Sequence, residues 1–253
     1  MISQESQDLV IDVGNSRMKL GLFAGGRLLA HTHADRADMS AVAGFLGGIQ
    51  PARIAIGSTA AHDEDFLRDL RSVAPLTVIT GDSPSPLGSL YTTRATLGVD
   101  RLANAVGAAR LHPGRPVLAI DLGTCITYDL VDGQAVYRGG IIAPGLHMRA
   151  KAMHAFSARL PLVDPPLDPP FLGTDTASSL IAGVHHGVAM ELKGVIGQLG
   201  RQYPGLAVVL TGGDAPRAAR ALKSGIFAHP VLTLVGLHAL LHHDPDIGPA
   251  VRH

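Results

Sequence analysis

The sequence predicts a duplicated α/β fold with a ligand cleft between its halves, and three observations carry that prediction. A short apolar strand holding one aspartate and running into a glycine turn occurs twice, as "LVIDVGNSRMKLGLF" from Leu9 and "LAIDLGTCITYDLVDG" from Leu118. Around Asp12 and Asp121, which lie 109 residues apart, the order strand, polar turn, strand, glycine turn, strand is the same. Helical segments and further short β-branched strands then follow each meander, the alternation expected of an α/β protein. Junctions between such halves are where small ligands sit. The duplication divides the chain into 1–115 and 116–253.

The strands and helices can be assigned in order. Residues 9–13 and 17–23 read as strands joined by a polar turn at Gly14 to Ser16, and Arg27 to Thr32 as a third strand after the "AGG" turn. A weak helix fits 40–48, and "RIAIGS" (53–58) is a buried strand. "DEDFLRDLRSVA" has acids in its first turn and Phe66, Leu67, Leu70 and Val73 at helical spacing, before the strand "LTVIT" (76–80). The second meander runs through "VLAIDLG", "CITYDLV" and "AVYRGGII", with "DGQ" as its hairpin turn. Helices are expected at about 146–159 and at 176–202. The second carries a stripe of Leu180, Ile181, Val184, Val188, Leu192, Val195 and Leu199. "LAVVLTGGDAP" is strand, glycine turn and helix start, with Pro216 suited to a first turn, and "VLTLVGLHALLHH" closes the chain as an apolar helix. The proline-rich "LVDPPLDPP" (162–170) is too short for a linker and is expected to cover a surface or pocket.

Composition excludes several classes of function. With 46% apolar and 17% charged residues over 253 positions, the chain is globular and long enough for a sizeable core. Its 21 basic and 21 acidic residues balance and are scattered, so neither nucleic acid nor an anionic membrane is an expected partner. No apolar run reaches the ~20 residues of a membrane span. "MISQESQDLV" lacks the cationic start and apolar stretch of a signal peptide. Cys125 is the sole cysteine, so no intrachain disulfide is possible and a reducing, cytoplasmic setting fits.

A carboxylate at the end of an oily strand costs several kcal/mol unless something pairs with it. A metal cation or a cation-bridged phosphate is the natural partner for Asp12 and Asp121, and turn amides with the Ser16 and Thr124 hydroxyls can donate to phosphate. Lys19 can neutralise a terminal phosphate. One such aspartate would read as a turn cap; two in matching contexts point to phosphate. "TGGDAP" (211–216) fits either a phosphate or adenosine contact or a plain strand-to-helix turn. In "LGVDRLANAVGAARL" (97–111), Leu102, Val106 and Ala109 face inward. There Asp100 fits a helix cap or a general base, and Arg101 a solvated residue or a clamp for an anion.

The paired histidines 185/186 and 242/243 point about 100° apart on their helices, so neither pair makes an i, i+4 metal site. With a single cysteine, no structural zinc is expected, and the histidines read as surface or packing residues.

Taken together, the motifs resemble the type III pantothenate kinases, of the acetate kinase/sugar kinase/Hsp70/actin superfamily. "DVGNSRMK" resembles that family's D-x-G-N-[ST]-x-x-K loop, "GVDR" its G-x-D-R motif with Tyr91 upstream, and "DLGTCITYD" its D-x-G-T-A-x-T-x-D motif. "GGIIAPGLHMRAKAMHAFSARLP" resembles its G-G-x-I-x-P-G segment, and "GTDTASSLIAG" its G-x-N-T segment more loosely. The resemblance implies duplicated actin-like (ribonuclease H-like) domains with a nucleotide cleft between them, and phosphorylation of pantothenate by ATP at the start of coenzyme A synthesis. It implies ATP binding by Asp12, Val13, Gly14, Asn15, Ser16, Arg17, Met18, Lys19 and Thr124, with Asp12 helping to hold Mg²⁺ through the phosphates. It implies Asp100 as the catalytic base and pantothenate contacts from Tyr91, Gly98, Val99, Asp100, Arg101 and Thr176. It further implies Asp121 as a ligand of K⁺ or NH₄⁺, and a homodimer whose pockets the neighbouring subunit completes.

The chain departs from the family pattern at Arg94, where proline is usual, at "GSTAAHDED" from Gly57, at Asp175 for asparagine and at Cys125 for alanine. None of these removes a residue assigned to the chemistry. Two other readings stand beside the leading one. One is a superfamily kinase or phosphatase for another small molecule. The other is a non-catalytic relative that regulates a partner, for instance as a transcription accessory factor.

Overall fold

In the computed structural model, described for residues 6–15, 17–58, 63–164, 166–222 and 226–244, the two meanders form two separate sheets. Strands β1 (Gln7–Val13), β2 (Met18–Ala24) and β3 (Arg27–Ala34) pair antiparallel, and β4 (Arg53–Ser58) and β5 (Leu76–Ile79) extend the sheet in parallel beyond β1. The second sheet repeats this with β7 (Val117–Leu122), β8 (Cys125–Val131) and β9 (Val136–Pro144) antiparallel. There β10 (Ala207–Thr211) and β11 (Phe227–Ala228) run parallel beyond β7. The strand orders are β3-β2-β1-β4-β5 and β11-β10-β7-β8-β9-β6, where β6 is the two-residue strand Gly88–Ser89. The repeat expected from the sequence is thus a repeat of topology.

Helices fill three layers. Outside the first sheet, α1 (Met39–Leu46) and α2 (Glu64–Val73) cover Leu9, Ile11, Leu20 and Ile54, and the side chains of Asp38 and Asp63 cap their first turns. Outside the second sheet lie α4 (Leu146–Ala155), α5 (Thr176–Gln202) and α6 (Ala215–Leu222). Between the sheets, α3 (Val99–Leu111) packs against α7 (Leu232–Leu241). Their shared core includes Leu102, Val106, Leu234 and Leu237. The helices meet at glycines. A Cβ on Gly236 would stand 1.8 Å from the Ala103 carbonyl oxygen, and one on Gly107 would stand 2.8 Å from that of Leu232.

Several elements differ from expectation. The helix expected to run to 159 ends at Ala155, with the Phe156 amide bonded back to Ala152 and the chain bending over Ser157, Ala158 and Arg159. Neither β6 nor β11 was anticipated, since two-residue strands have no period to detect. The stripe of α5 is buried from Val184 to Leu192, while Leu180 and Ile181 are only half-buried because its first turns rise off the core. The proline-rich loop does lie over the outer helices: Arg217 donates to the Pro166 carbonyl and His186 Nε2 is 3.1 Å from that of Pro170.

The helix crossing sets a testable sign. Alanine favours a helix over glycine by roughly 1 kcal/mol, yet at Gly236 the new methyl meets backbone. Gly236→Ala is expected to cost about 1–3 kcal/mol in urea unfolding, whereas Gly194→Ala on α5, with nothing within 4 Å of its Cβ, is neutral or stabilising. Equal midpoints for the two variants would contradict the packing described.

Candidate active site

The ends of β1 and β7 carry Asp12 and Asp121 toward the same space between the sheets. Asp12 is 5% exposed and lies opposite Lys19 in the β1–β2 register, its Oδ2 3.3 Å from Nζ. Burial lifts the Asp12 pKa to about 6. Lys19 opposes the rise, and the charges of Asp100 and Asp121 add to it. Burial also raises the Asp121 pKa, against Lys19 and a hydrogen bond from Asn104, with Asp100 adding. Lys19 therefore serves two carboxylates, and a third crowds them.

Asn104 is the hinge of a short relay across α3. Its Nδ2 donates to Asp121 Oδ2 at 3.0 Å, and its Oδ1 accepts from Thr233 Oγ1 of α7 at 2.9 Å. Gly212, at φ +90°, lies so close that a Cβ would stand 2.4 Å from Asp121 Oδ1 and 2.5 Å from the Leu122 carbonyl oxygen. Only glycine serves there, by conformation as well as by space.

The start of α3 supplies the third carboxylate. Asp100 is half-buried in the first turn, its Oδ1 accepting from the Arg101 amide at 2.8 Å. Arg101 is 5% exposed, so it is neither solvated nor loose. Its Nε and Nη2 reach Asp129 Oδ1 at 2.9 and 2.7 Å, and Nη2 is 3.0 Å from Tyr137 Oη. Tyr137 Oη in turn donates to the same carboxylate oxygen at 2.6 Å, and the Tyr91 ring lies 5.7 Å from the guanidinium. Burial raises the Asp129 pKa to about 6, and Arg101 and Tyr137 hold it from rising further, so the pair is ionised at neutral pH. Burial works against the Arg101 charge, but Asp129 and then Tyr137 and Tyr91 outweigh it.

Paired strand-end carboxylates, a cross-strand lysine and a helix-start aspartate converge between two repeated sheets. Comparison with known proteins gives this arrangement a family. Residues 8–198 match the family model described as type III pantothenate kinase. The chain belongs to the type III pantothenate kinase family. It is 38% identical over 243 residues to the type III pantothenate kinase of Porphyromonas gingivalis, covering 94% of this chain and 99% of that one. It is 38% identical over 248 residues to that of Phocaeicola vulgatus, covering 95% and 100%. Among solved structures, one described as a "conserved putative Baf family transcriptional activator" from Campylobacter jejuni aligns at TM-score 0.59 and 20% identity, over 94% of this chain and 100% of that one. A ROK family glucokinase from Streptomyces griseus, in complex with glucose and AMPPNP, aligns at TM-score 0.54 and 15% identity, over 92% and 98%. These two establish the actin-like fold of two α/β halves.

The residues singled out in the family's motifs are placed as follows. Lys19, Asp100 and Asp121 lie near enough to Asp12 for their charges to act on it, and Arg101, next to Asp100 on α3, has the Tyr91 ring beside its guanidinium. Gly14 and Arg17 close the first turn, Gly14 N donating to the Arg17 carbonyl at 3.0 Å, with Asn15 and Arg17 exposed. Met18 is a core residue and Val13 is half-buried, so their part in the loop is backbone. Ser16 lies outside the described residues. Gly98 caps α3, Val99 is buried beneath it, and Thr124 is exposed in the matching turn of the second half. Thr176 stands apart: it is the exposed first residue of α5. Among the described residues it shares no hydrogen bond or ion pair with the cluster.

Sequence reasoning passed over Asp129, Tyr137 and Asn104, and singled out Gly212 only as part of the "TGGDAP" turn. Asp129 closes the quoted "DLGTCITYD", and a carboxylate mid-strand eight residues after Asp121 was the available signal. The departures are accommodated. Arg94 Nη2 donates to the Ser83 carbonyl at 2.8 Å and ties down a single 3₁₀ turn, Arg94–Thr96. Asp175 caps α5 by accepting from the Ser178 amide, a role asparagine fills as well. Cys125 is a half-buried residue at the start of β8. Of "GSTAAHDED", residues 59–62 lie outside the described residues.

Carboxylates and a lysine supply oxygen donors and a positive charge of the kind that suits a divalent cation held together with phosphate. Among the described residues Asp12, Asp100 and Asp121 are not grouped tightly enough to share one ion. Mg²⁺ characteristically takes one or two carboxylates with phosphate oxygens and waters. Asp12, buried beside Lys19, is a carboxylate placed to be such a ligand.

The buried Arg101–Asp129 pair gives a direct test. Asp129→Asn leaves a guanidinium without its counter-charge and is expected to cost about 3–5 kcal/mol in urea unfolding. Tyr137→Phe, which removes one hydrogen bond to the carboxylate, costs about 1–3 kcal/mol. The reverse order would contradict the network.

Proposed function

We propose that the chain transfers the γ-phosphoryl group of ATP to the hydroxyl of pantothenate, giving 4'-phosphopantothenate in the first step of coenzyme A biosynthesis. The observation that carries the reading is the gathering of Asp12, Asp100 and Asp121 around Lys19, in a chain that belongs to the type III pantothenate kinase family. Phosphoryl transfer asks the protein for positioning and charge neutralisation more than for covalent chemistry. Carboxylates so arranged repel one another until cations and a ligand occupy the space.

On this reading residues 12–19 and Thr124 surround the ATP phosphates, and Lys19 neutralises charge on the transferred group. Mg²⁺ bound to Asp12 and the phosphates would supply charge stabilisation at the phosphoryl oxygens. Asp100 takes the proton of the pantothenate hydroxyl as its oxygen bonds to the γ-phosphorus and the bond to the ADP oxygen breaks. Arg101 commits Nε and Nη2 to Asp129 and Tyr137, a fixed orientation from which its remaining edge meets the pantothenate carboxylate. Tyr91, Gly98 and Val99 line that pocket. Asp121 holds K⁺ or NH₄⁺.

The same reading makes the protein a cytoplasmic homodimer without nucleic-acid or membrane partners, its halves divided near residue 115. Exposed Ile142 on β9, Phe156 after α4, and Phe171, Leu172 and Met190 at or before α5, between 54% and 93% exposed, support a subunit contact. Thr176, at the same end of α5, would then serve the neighbouring subunit's pocket. No helix among the described residues is long and apolar enough to cross a membrane.

The test is ADP release from ATP and Mg²⁺, with and without pantothenate, in K⁺ and in Na⁺. Release should require pantothenate and K⁺. Asp100→Asn should lower kcat by about 10²–10⁴ with nucleotide affinity nearly intact, and Asp121→Asn should blunt the response to K⁺. No pantothenate-dependent release from folded protein in either salt would overturn the reading.

A further inference from the structure

The apolar closing helix carries a polar cluster that phosphoryl transfer does not use. His238 and His242 are four residues apart on α7 and its C-cap, hence on one face. That helix packs on β1, whose second residue is Asp8. Asp8 Oδ2 stands 2.6 Å from His242 Nε2 and 3.4 Å from His238 Nε2. One ligand atom from each residue lies within 4.8 Å of the other two. Among the described residues no other three histidine, cysteine or acidic side chains are so grouped.

Two observations go beyond proximity. His238 Nε2 is buried without a hydrogen-bond partner, 3.4 Å from Asp8 Oδ2, and the residue is only 6% exposed. A buried polar atom without a partner is costly, and its persistence calls for an explanation such as an ion. The His238 ring also stacks on Phe23 at 4.3 Å, which fixes its direction.

We propose that Asp8, His238 and His242 form a second metal site, for Zn²⁺ or a similar borderline transition ion, that clasps the closing helix to the first strand. Two imidazoles and a carboxylate suit such an ion, with water in the fourth position. The hard cations of the active site prefer oxygen ligands. Asp8 and Asp12 are four residues apart on β1, roughly 13 Å along the strand, so the two sites share no ligand. Arg53 is the competing group: its Nε is 3.5 Å from Asp8 Oδ1 and its Nη2 3.4 Å from His242 Nδ1. Its side chain is 45% exposed. It can withdraw from His242 while continuing to orient the Asp8 oxygen that does not bind the ion.

The test uses the untagged full chain, freed of metal by chelation and dialysed against Zn²⁺ or Co²⁺ with Mg²⁺ in excess. One ion per chain is expected, with visible d–d absorption for Co²⁺ and a raised thermal midpoint for Zn²⁺. His242 is 38% exposed and its replacement leaves the core intact. His242→Ala should weaken binding by more than about tenfold, since loss of even an outer-shell partner costs 10–100-fold. His243→Ala and Asp12→Asn should bind as wild type does. No uptake by wild type would leave an ion-pair cluster with Arg53 and overturn the proposal. So would equal uptake by His242→Ala, or a loss confined to Asp12→Asn.

Discussion

Lys19 faces Asp12 across the first hairpin, and its field reaches Asp121 in the other half of the chain. Asp100, at the start of the helix between the sheets, raises both of those carboxylates electrostatically. The cluster exists because each half ends its first strand in an aspartate and the inner helices hold the two sheets face to face. Neither carboxylate can withdraw, since each is fixed in a strand, Asp12 directly after buried Ile11 and Asp121 between buried Ile120 and Leu122. The protein therefore carries an excess of negative charge in a low-dielectric space, which on the proposed reading cations arriving with the nucleotide would relieve.

The inner layer explains how this geometry stays fixed. Because α3 and α7 cross at Gly107 and Gly236, their backbones come close enough for Thr233 to hold Asn104, and Asn104 to hold Asp121. Arg101, one residue beyond the third carboxylate, is anchored to Asp129 and Tyr137 of the second sheet. Residues that would contact substrate thus rest on partners one element away. This is the arrangement that rigid positioning for phosphoryl transfer requires.

Much of this was legible in the sequence because it rests on local patterns. The two Asp-x-Gly turns, the meanders and the amphipathic α2 follow from alternation and spacing, and the strand topology repeats as they do. What was not legible depends on long-range contact. Arg101 reads equally as solvated or functional from its neighbours, and only Asp129, 28 residues on, decides its state. The strands Gly88–Ser89 and Phe227–Ala228 are defined by the edges they join. The histidines show a different failure. His238 and His242 form an i, i+4 pair rather than adjacent ones, and no local pattern reveals that Asp8, 234 residues from His242, lies opposite.

The central claim is that Asp12 is a strained carboxylate relieved by cation-bound phosphate. Its titration can be followed by carboxyl ¹³C NMR, assigned by difference from Asp12→Asn, in free protein and with Mg²⁺ and a non-hydrolysable ATP analogue. In the free protein the midpoint should lie near the elevated value of about 6. Because the ligand binds the ionised form, saturation should move the midpoint well below that value, and affinity should rise with pH through 6 and then level off. A free-protein midpoint at the ordinary 3.8, or one that the ligand leaves in place, would contradict the account.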